Sequence, residues 1–146
     1  KGTIRGITIV DDYAHHPAEI KATLLAAKNL GYNRLVVVFQ PHRYTRTMYF
    51  KDSFGKSFSL ADHLILTDIY SASEVPLNGV STKDIYDKVI EYGHKDVRLL
   101  PKEAIVEHLV NVLKSGDLVL VLGAGDIVEV SAELMENLNR RGPKGL

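Results

Sequence analysis

Residues 35–47 read LVVVF followed by QPHRYTRT, so that an apolar run passes directly into a polar one. A continuous apolar run rich in valine is typical of a strand that is buried on both faces of a parallel sheet. Pro41 has no amide hydrogen and disfavours a helical conformation at Gln40, so we expect the chain to leave the sheet there. The stretch therefore predicts a buried strand whose carboxyl end opens into a loop rich in hydrogen-bond donors.

The same order of apolar run, polar segment and helical periodicity occurs five times along the chain. Strands are predicted at residues 7–10, 34–39, 63–67, 96–100 and 118–122, and helices at residues 17–30, 47–60, 81–92, 101–113 and 126–139. Five β-then-α units predict a single α/β domain with a doubly wound, mostly parallel, Rossmann-like sheet and helices on both faces. Residues before Ile7 are expected to form an edge segment, and residues 140–146 a frayed tail. Phenylalanines at positions 50, 54 and 58 predict a core-facing stripe.

Composition limits the classes of function. The 146 residues, of which 45% are apolar, suffice for one domain with a full core. Lysine plus arginine equals aspartate plus glutamate at 18 each, so no general attraction to nucleic acid or to an anionic membrane is expected. No apolar run approaches the roughly 20 residues that cross a bilayer. The absence of cysteine excludes disulfides and thiolate metal sites and fits a cytosolic protein.

Polar segments follow four of the predicted strands, at residues 11–16, 40–47, 68–74 and 123–126. Because open α/β sheets bind ligands at the carboxyl ends of their strands, these four loops are expected to form one site. Within the second loop, Arg43 and Arg46 can converge on one anion if a helix begins near Thr45, with backbone amides adding to the field. This predicts a carboxylate or phosphate clamp; the alternative is a solvated loop whose arginines cover the end of the sheet.

The same loops contain residues that could belong to two other kinds of site, a zinc site and a dinucleotide-binding fingerprint. His15, His16 and His42 could form a zinc site, although the nearby arginines disfavour a cation, while the remaining histidines at positions 63, 94 and 108 are expected to be structural or solvated. Gly123 and Gly125 follow a strand, but Val128 occupies the third glycine position of a dinucleotide fingerprint. These glycines are therefore expected to allow close backbone approach, either to a ligand or to a neighbouring loop.

Four segments together resemble the carboxy-terminal domain of the Mur ligases. They are DDYAHHP at 11–17, FQPHRYTRT at 39–47, DIYSASEVP at 68–76 and LGAGDI at 122–127. The HRYTR run is most similar to the alanine-adding branch of the family, and a murein-recycling ligase that shares the first segment is the nearest competitor. The resemblance implies a cytoplasmic, ATP-dependent amide ligase that joins L-alanine to UDP-N-acetylmuramate through an acyl phosphate during peptidoglycan synthesis.

The resemblance also implies that residues 1–146 are the last of three domains. The chain begins with Lys1 rather than methionine, which suggests a fragment or a processed product. The P-loop and the Mg²⁺ ligands would lie in the missing central domain and the UDP-sugar on the missing amino-terminal domain. The isolated domain would then be inactive. A stand-alone α/β module that binds a nucleotide or an amino acid is the competing class, and an upstream P-loop would distinguish the two.

By position in the family's segments, seven residues are expected at the site. Asp12 would bind the ribose of ATP, with Asp11 close by. The amino-acid side would be formed by Tyr13, His15, His42, Arg43 and Arg46. A guanidinium matches the planar α-carboxylate in bidentate fashion, which agrees with this assignment. No catalytic nucleophile and no metal ligand are expected within this chain.

Overall fold

The computed structural model of the chain describes residues 2–141, which form six strands and five helices. The strands are β1 (Gly2–Ile4), β2 (Ile7–Asp12), β3 (Arg34–Phe39), β4 (His63–Leu66), β5 (Val97–Leu99) and β6 (Asp117–Leu122). The helices are α1 (Pro17–Lys28), α2 (Tyr44–Gly55), α3 (Lys83–Glu91), α4 (Lys102–Val112) and α5 (Val128–Arg141). None of these helices is long and apolar enough to span a bilayer.

One six-stranded sheet runs through the domain in the order β1-β2-β6-β3-β4-β5. β1 pairs antiparallel with β2, and every other neighbouring pair is parallel. The last strand of the sequence thus lies between β2 and β3. Its first residue, Asp117, is paired in register with Arg34, and the Arg34 guanidinium donates to both carboxylate oxygens, with Nε–Oδ1 at 3.1 Å and Nη2–Oδ2 at 2.7 Å. This fork, in which Asp117 is buried and Arg34 is half-buried, fixes the amino end of β6 beside β3.

Helices cover both faces of the sheet, because strand side chains alternate between two hydrophobic clusters. Val37 and Phe39 face α1, α2 and α3, whereas Val36 and Val38 face α4 and α5. Every residue of β6 is buried. The prediction of a single, doubly wound α/β domain with a mostly parallel sheet is therefore confirmed.

The boundaries of α2 differ from the prediction of 47–60. The helix begins at Tyr44, three residues early, and ends at Gly55, after which the amides of Lys56 and Ser57 bond back to Ser53 and Phe54. This turn still buries Phe58 against Phe39, with ring centroids 5.2 Å apart. The phenylalanine spacing correctly predicted burial at 54 and 58 but not the helix end. Phe50 is 40% exposed, so its assignment to the core stripe was wrong.

The other differences are smaller. β2 continues to Asp12, so both aspartates belong to the strand rather than to the loop after it. α3 begins at Lys83. The amide of Ser81 donates to Asp84 Oδ2 at 3.1 Å, and the Ser81 hydroxyl accepts from the amide of Lys83 at 3.2 Å. Residues 140 and 141 are helical rather than frayed, and the rest of the predicted tail, 142–146, lies outside the described residues.

Two histidines that were expected to be structural or solvated form a pair at the amino end of β4. The Nε2 atoms of His63 and His108 lie 2.9 Å apart, and Nδ1 of His63 lies 2.8 Å from the Asp96 carboxylate. A carboxylate only accepts, so His63 donates from Nδ1 and, while neutral, accepts from His108 at Nε2. Burial, and secondarily the neighbouring His63 and Arg98, lower the pKa of His108.

This pair predicts a pH dependence of folding. Because His108 binds a proton less readily when folded, the unfolded chain takes up more protons below its ordinary pKa of about 6.5, and the free energy of unfolding should fall as the pH drops from 7.5 to 5. His108→Gln retains an amide donor for His63 and removes the titration. Denaturant unfolding should therefore show that the free energy of unfolding falls less for the variant than for the parent as the pH drops. The same pH dependence in both proteins would contradict the prediction.

Candidate functional site

The sheet order places four loops side by side at the carboxyl edge. β2, β6, β3 and β4 are consecutive neighbours, and their polar loops follow at that edge. The loop after β6 lies between the loop that begins after Asp12 and the loop that begins at Gln40. This is the arrangement that the sequence predicted, and it brings residues more than 80 positions apart within hydrogen-bonding distance.

A cavity of about 290 Å³ opens between the loop after β2 and the loop after β6. Its lining comprises Asp11, Asp12, Tyr13, Val121, Gly123, Ala124, Gly125, Ile127 and Val128. Asp12 accepts a hydrogen bond from the amide of Ala14 through Oδ1 at 2.8 Å, which leaves Oδ2 without a hydrogen bond in the described part of the chain. Asp11 accepts a hydrogen bond from the hydroxyl of Ser131 on α5. Three of the predicted site residues thus share one concave surface that has carboxylates on one side and aliphatic side chains on the other.

The glycines after β6 serve contacts between loops. A Cβ at Gly125 would overlap the ring of Tyr70, and one at Gly123 would press on Ile127 and on the carbonyl oxygen of Gln40. Gly123 also has φ +153°, which side chains rarely adopt. Of the two options that the sequence left open, the structure shows close approach to neighbouring loops.

A buried glutamine ties two of these loops together. Gln40 is 5% exposed; its Nε2 donates to Asp126 at 2.7 Å and its Oε1 accepts from the amide of Ile127 at 3.3 Å. Lys102 on α4 donates to Asp126 at 3.0 Å. The Gln40 hydrogen bond, followed by that of Lys102, lowers the pKa of Asp126. Sequence reasoning assigned no role to Gln40 or Asp126, although a glutamine at the end of a buried strand needs partners for its amide.

An imidazole and guanidinium cluster occupies the loop after β3. The ring of His42 lies 5.5 Å from that of His15, and Arg46 Nη1 lies 3.0 Å from His42 Nδ1 and 3.1 Å from the His42 carbonyl oxygen. Arginine has only donors, so His42 must accept at Nδ1 and therefore presents Nε2–H when neutral. Burial first, then Arg46, His15 and Arg43, lower the pKa of His42, with Glu74 opposing them. The cluster therefore supplies cationic donors next to an uncharged imidazole.

The first loop brings its histidines to the same place. His15 Nδ1 lies 2.8 Å from the carbonyl oxygen of Tyr13, so Nδ1 donates and Nε2 of a neutral His15 is left as an acceptor. Glu19 accepts from the amides of His15 and His16 and closes the amino end of α1. These two amide bonds are the main causes that lower the pKa of Glu19. Tyr13 itself is 80% exposed.

The two arginines of the predicted clamp differ in their surroundings. Arg46 is half-buried and held by His42, whereas the exposed Arg43 guanidinium forms no hydrogen bond with residues 2–141. Backbone amides of the next helix were expected to add to this anion site. Glu74 already occupies two of them, the amides of Tyr44 and Thr45. These two amides are therefore not available to an external anion.

Two residues of the long loop after β4, Tyr70 and Glu74, were missed as site residues. Tyr70 forms a parallel bridge with His42, and the two rings stack at 5.7 Å with an interplanar angle of 26°. Its ring also lies under Gly125, so it contacts both the loop after β3 and the loop after β6. Two signals were available in the sequence: the length of this loop, because long loops in compact domains are commonly functional, and its inclusion in the family segment at 68–76.

A metal centre is not supported. No group of three or more histidine, aspartate or glutamate side chains suitable for a metal ion occurs within the described part of the chain. The zinc alternative for His15, His16 and His42 therefore has no support among these residues. Nδ1 of His42 is already bonded to Arg46.

Comparisons with known proteins assign the chain to a family. The family model described as "Mur ligase, glutamate ligase domain" matches residues 1–125. A UDP-N-acetylmuramate--L-alanine ligase of Geotalea daltonii is 49% identical over 139 residues, covering 94% of this chain and 30% of that protein. The protein of the same name from Pelotomaculum thermopropionicum is 48% identical over 138 residues, again covering 94% of this chain and 30% of the relative. The chain thus spans less than a third of the length of these curated relatives.

Solved structures agree with this assignment. The UDP-N-acetylmuramate-alanine ligase of Thermotoga maritima matches with a TM-score of 0.74 at 29% identity, over 93% of this chain and 27% of that one. The murein peptide ligase of Psychrobacter arcticus matches with a TM-score of 0.78 at 24% identity, over 95% of this chain and 29% of that one, which supports the fold alone. With a family model over most of its residues and relatives nearly half identical, this chain belongs to the Mur ligase family.

Proposed function

We propose that this chain is the carboxy-terminal domain of a three-domain, ATP-dependent ligase that joins L-alanine to UDP-N-acetylmuramate in the cytoplasm during peptidoglycan synthesis. The observation that carries the proposal is the adjacency of two chemically different half-sites at one sheet edge. A cavity with carboxylates lies after β2 and β6, and a cluster of imidazoles and guanidinium groups lies after β3. The two curated relatives that are 49% and 48% identical to this chain carry the name of that ligase.

The cavity fits the nucleoside part of ATP. The free oxygen of Asp12 can accept from a ribose hydroxyl, with Asp11 held close by through Ser131. Val121, Ile127 and Val128 provide an apolar wall suited to a base. On the family resemblance, we assign Mg²⁺ binding and the P-loop to the missing central domain, and the UDP-sugar to the missing amino-terminal domain.

The cluster after β3 fits an amino acid. Arg43 and Arg46 would hold the α-carboxylate, and the Nε2–H of neutral His42 can donate to it as well. A neutral His15 would offer an acceptor nitrogen to the amine, and Tyr13, which lines the cavity, accepts from His15 through its carbonyl oxygen. A methyl side chain gives discrimination against glycine of only about 1–3 kcal/mol, so most of the affinity for alanine must come from these charged and polar groups.

The chemistry requires positioning more than a nucleophilic side chain. The γ-phosphoryl group of ATP would pass to the muramoyl carboxylate, with release of ADP, to give an acyl phosphate. The alanine amine would then attack the carbonyl carbon, and inorganic phosphate and a proton would leave as the amide bond forms. The residues of this chain would hold the amine against that carbon. Arg46 or Arg43 would offset part of the charge on the tetrahedral intermediate. No catalytic residue in the strict sense is proposed within residues 1–146.

Two alternatives remain testable. A stand-alone module that binds a nucleotide or amino acid is disfavoured by the match to relatives more than three times as long. The related murein-recycling ligase would use the same nucleotide half-site and a peptide in place of alanine. Phosphate release in the presence of ATP and UDP-N-acetylmuramate, measured with alanine and then with a free peptide in place of alanine, separates the two ligases.

The divided site predicts that the purified chain is inactive by itself. It should unfold cooperatively yet form no amide and release no phosphate from ATP, because the phosphate-binding half is elsewhere. Phosphate release and product formation can be measured for the chain alone and for the longer ligase that contains it. Turnover by the chain alone would contradict the three-domain assignment.

Asp12→Asn tests the nucleotide half-site. In the longer ligase, the apparent KM for ATP should rise more than the KM for alanine, because the carboxylate that accepts from the ribose is lost. Asparagine keeps an oxygen for the amide of Ala14, so the free energy of unfolding should change by about 1 kcal/mol or less. A change confined to alanine would overturn the assignment of Asp12.

Arg46→Lys tests the amino-acid half-site. The variant keeps the charge but loses the planar fork, so alanine kcat/KM should fall by an amount equivalent to about 1.5–3 kcal/mol, the scale of a charge-assisted hydrogen bond. Arg43→Ala should cost at least as much if both arginines face the substrate. Arg140→Lys on α5, which is exposed, serves as the matched control. Unchanged alanine saturation in folded Arg46 and Arg43 variants would return this loop to the solvated-surface interpretation.

A further inference from the structure

The amino end of α2 is closed by a carboxylate from a distant part of the chain. Glu74 accepts from the amide of Tyr44 at 2.6 Å and from the amide of Thr45 at 3.2 Å through Oε1, and from the Thr45 hydroxyl through Oε2. The bond from the Thr45 hydroxyl is the main cause that lowers the pKa of Glu74, and the two amides and Arg43 lower it further. Partial burial opposes them. Glu74 is therefore an internal anion at the end of the helix that carries the substrate arginines.

α2 has no cap of its own. Its N-cap residue is Arg43, whose side chain cannot accept a hydrogen bond, and no acidic residue lies in its first turn. Arg46 in that turn places a positive charge near the positive end of the helix dipole. The helix therefore depends on Glu74 both for its unpaired amides and for the compensating charge.

The backbone at Arg43 is strained and held on several sides. Its φ of +73° is rare for a residue with a side chain. The Arg43 amide donates to Tyr70 at 2.8 Å, and its carbonyl accepts from the amide and hydroxyl of Thr47 at 3.2 and 3.0 Å. Glu74 holds the next amide in the chain. A strained arginine keeps one conformation only where such contacts over-determine it, so the Glu74 bonds bear directly on how Arg43 is presented.

The loop that delivers Glu74 is strained as well. Ala72 and Ser73 both have positive φ, at +52° and +72°, and the Glu74 amide closes the turn onto the carbonyl of Ser71 at 3.0 Å. Two consecutive non-glycine residues in this conformation are unfavourable in a free loop. The three hydrogen bonds of Glu74 and the Tyr70 bridge offset that cost. The loop is therefore fastened at two points to the segment that carries His42, Arg43 and Arg46.

We propose that Glu74 is a positioning residue for the amino-acid half-site, which it serves by capping α2 and holding Arg43 and Arg46 in place for the substrate carboxylate. This inference rests on the proposed ligase function. Glu74 acts through the arginines and touches no substrate itself. Because its carboxylate occupies the amides of Tyr44 and Thr45, these two amides are not available to the substrate carboxylate.

A purely structural cap would behave differently from a positioning residue. Losing a structural cap lowers the stability of the whole domain and reduces the amount of active enzyme without changing how it saturates. Losing a positioning residue changes alanine saturation in enzyme that is still folded. A capping interaction of this kind is worth about 3- to 30-fold in an equilibrium constant. That range sets the effect expected on the KM for alanine.

Kinetics on the longer ligase supply the first test. Glu74→Ala should raise the KM for alanine about 3- to 30-fold and leave the KM for ATP within about twofold. Glu74→Gln retains one carbonyl acceptor for the Tyr44 amide, so it should recover part of the loss. Glu136→Gln on the exposed face of α5 is the matched control and should change neither constant. Equal changes in both KM values, or a fall in kcat alone, would overturn the proposal.

Nuclear magnetic resonance on the 146-residue chain supplies a second test that does not depend on ligase activity. Four groups act electrostatically on His42. They are Arg46 in α2, Arg43 at its N-cap, His15 in the first loop and Glu74 in the long loop. Of these, Glu74 alone raises the pKa of His42, so Glu74→Gln should move the His42 ring titration to lower pH. An unmoved or raised midpoint would refute the geometry. A wild-type ligase without alanine activity, combined with the expected titration, would refute the proposed function while leaving the cap established.

Discussion

The parallel pairing of β6 between β2 and β3 is the constraint on which the rest of the structure depends. It aligns Asp12, Leu122 and Phe39 in register, so that the three strands end together at one edge. The fork between Arg34 and Asp117 holds the same register at the opposite end. A shift of one residue would turn every buried side chain of β6 toward the other face, and both hydrophobic clusters would be disrupted.

That register lets the loops satisfy one another. Gln40 and Asp126 bond across adjacent strand ends, and Tyr70 lies between His42 and Gly125. These contacts use most of the polar groups that lie deepest between the loops, as buried polar groups require. Among the polar groups of the described residues that these contacts do not use are Oδ2 of Asp12, Nε2 of His42 and the Arg43 guanidinium. The candidate site is thus what remains after the loops have paired internally, which explains why two half-sites stay open.

An internal carboxylate next to the proposed anion site also has an electrostatic role. The two arginines would otherwise accumulate positive charge around His42 without compensation. Glu74 adds negative charge at the helix end, where the dipole favours it, and opposes the fall in the His42 pKa. The half-site can then hold cationic donors and a neutral imidazole in a small volume, a combination suited to an amino acid that carries both charges.

The sequence by itself determined the five β-then-α units, the buried strands and the gathering of four polar loops, because hydrophobic periodicity and parallel topology depend on local pattern. It also carried the family segments that contain Asp12, His42 and Arg46. Only the tertiary structure decided that Glu74 caps α2, that Gly125 makes room for Tyr70, that Phe50 is exposed and that His63 pairs with His108. Each of these depends on contacts between residues far apart in the chain, which no local pattern encodes. The helix end at Gly55 was not predicted for the same reason. The turn after the helix buries Phe58 just as a longer helix would have done.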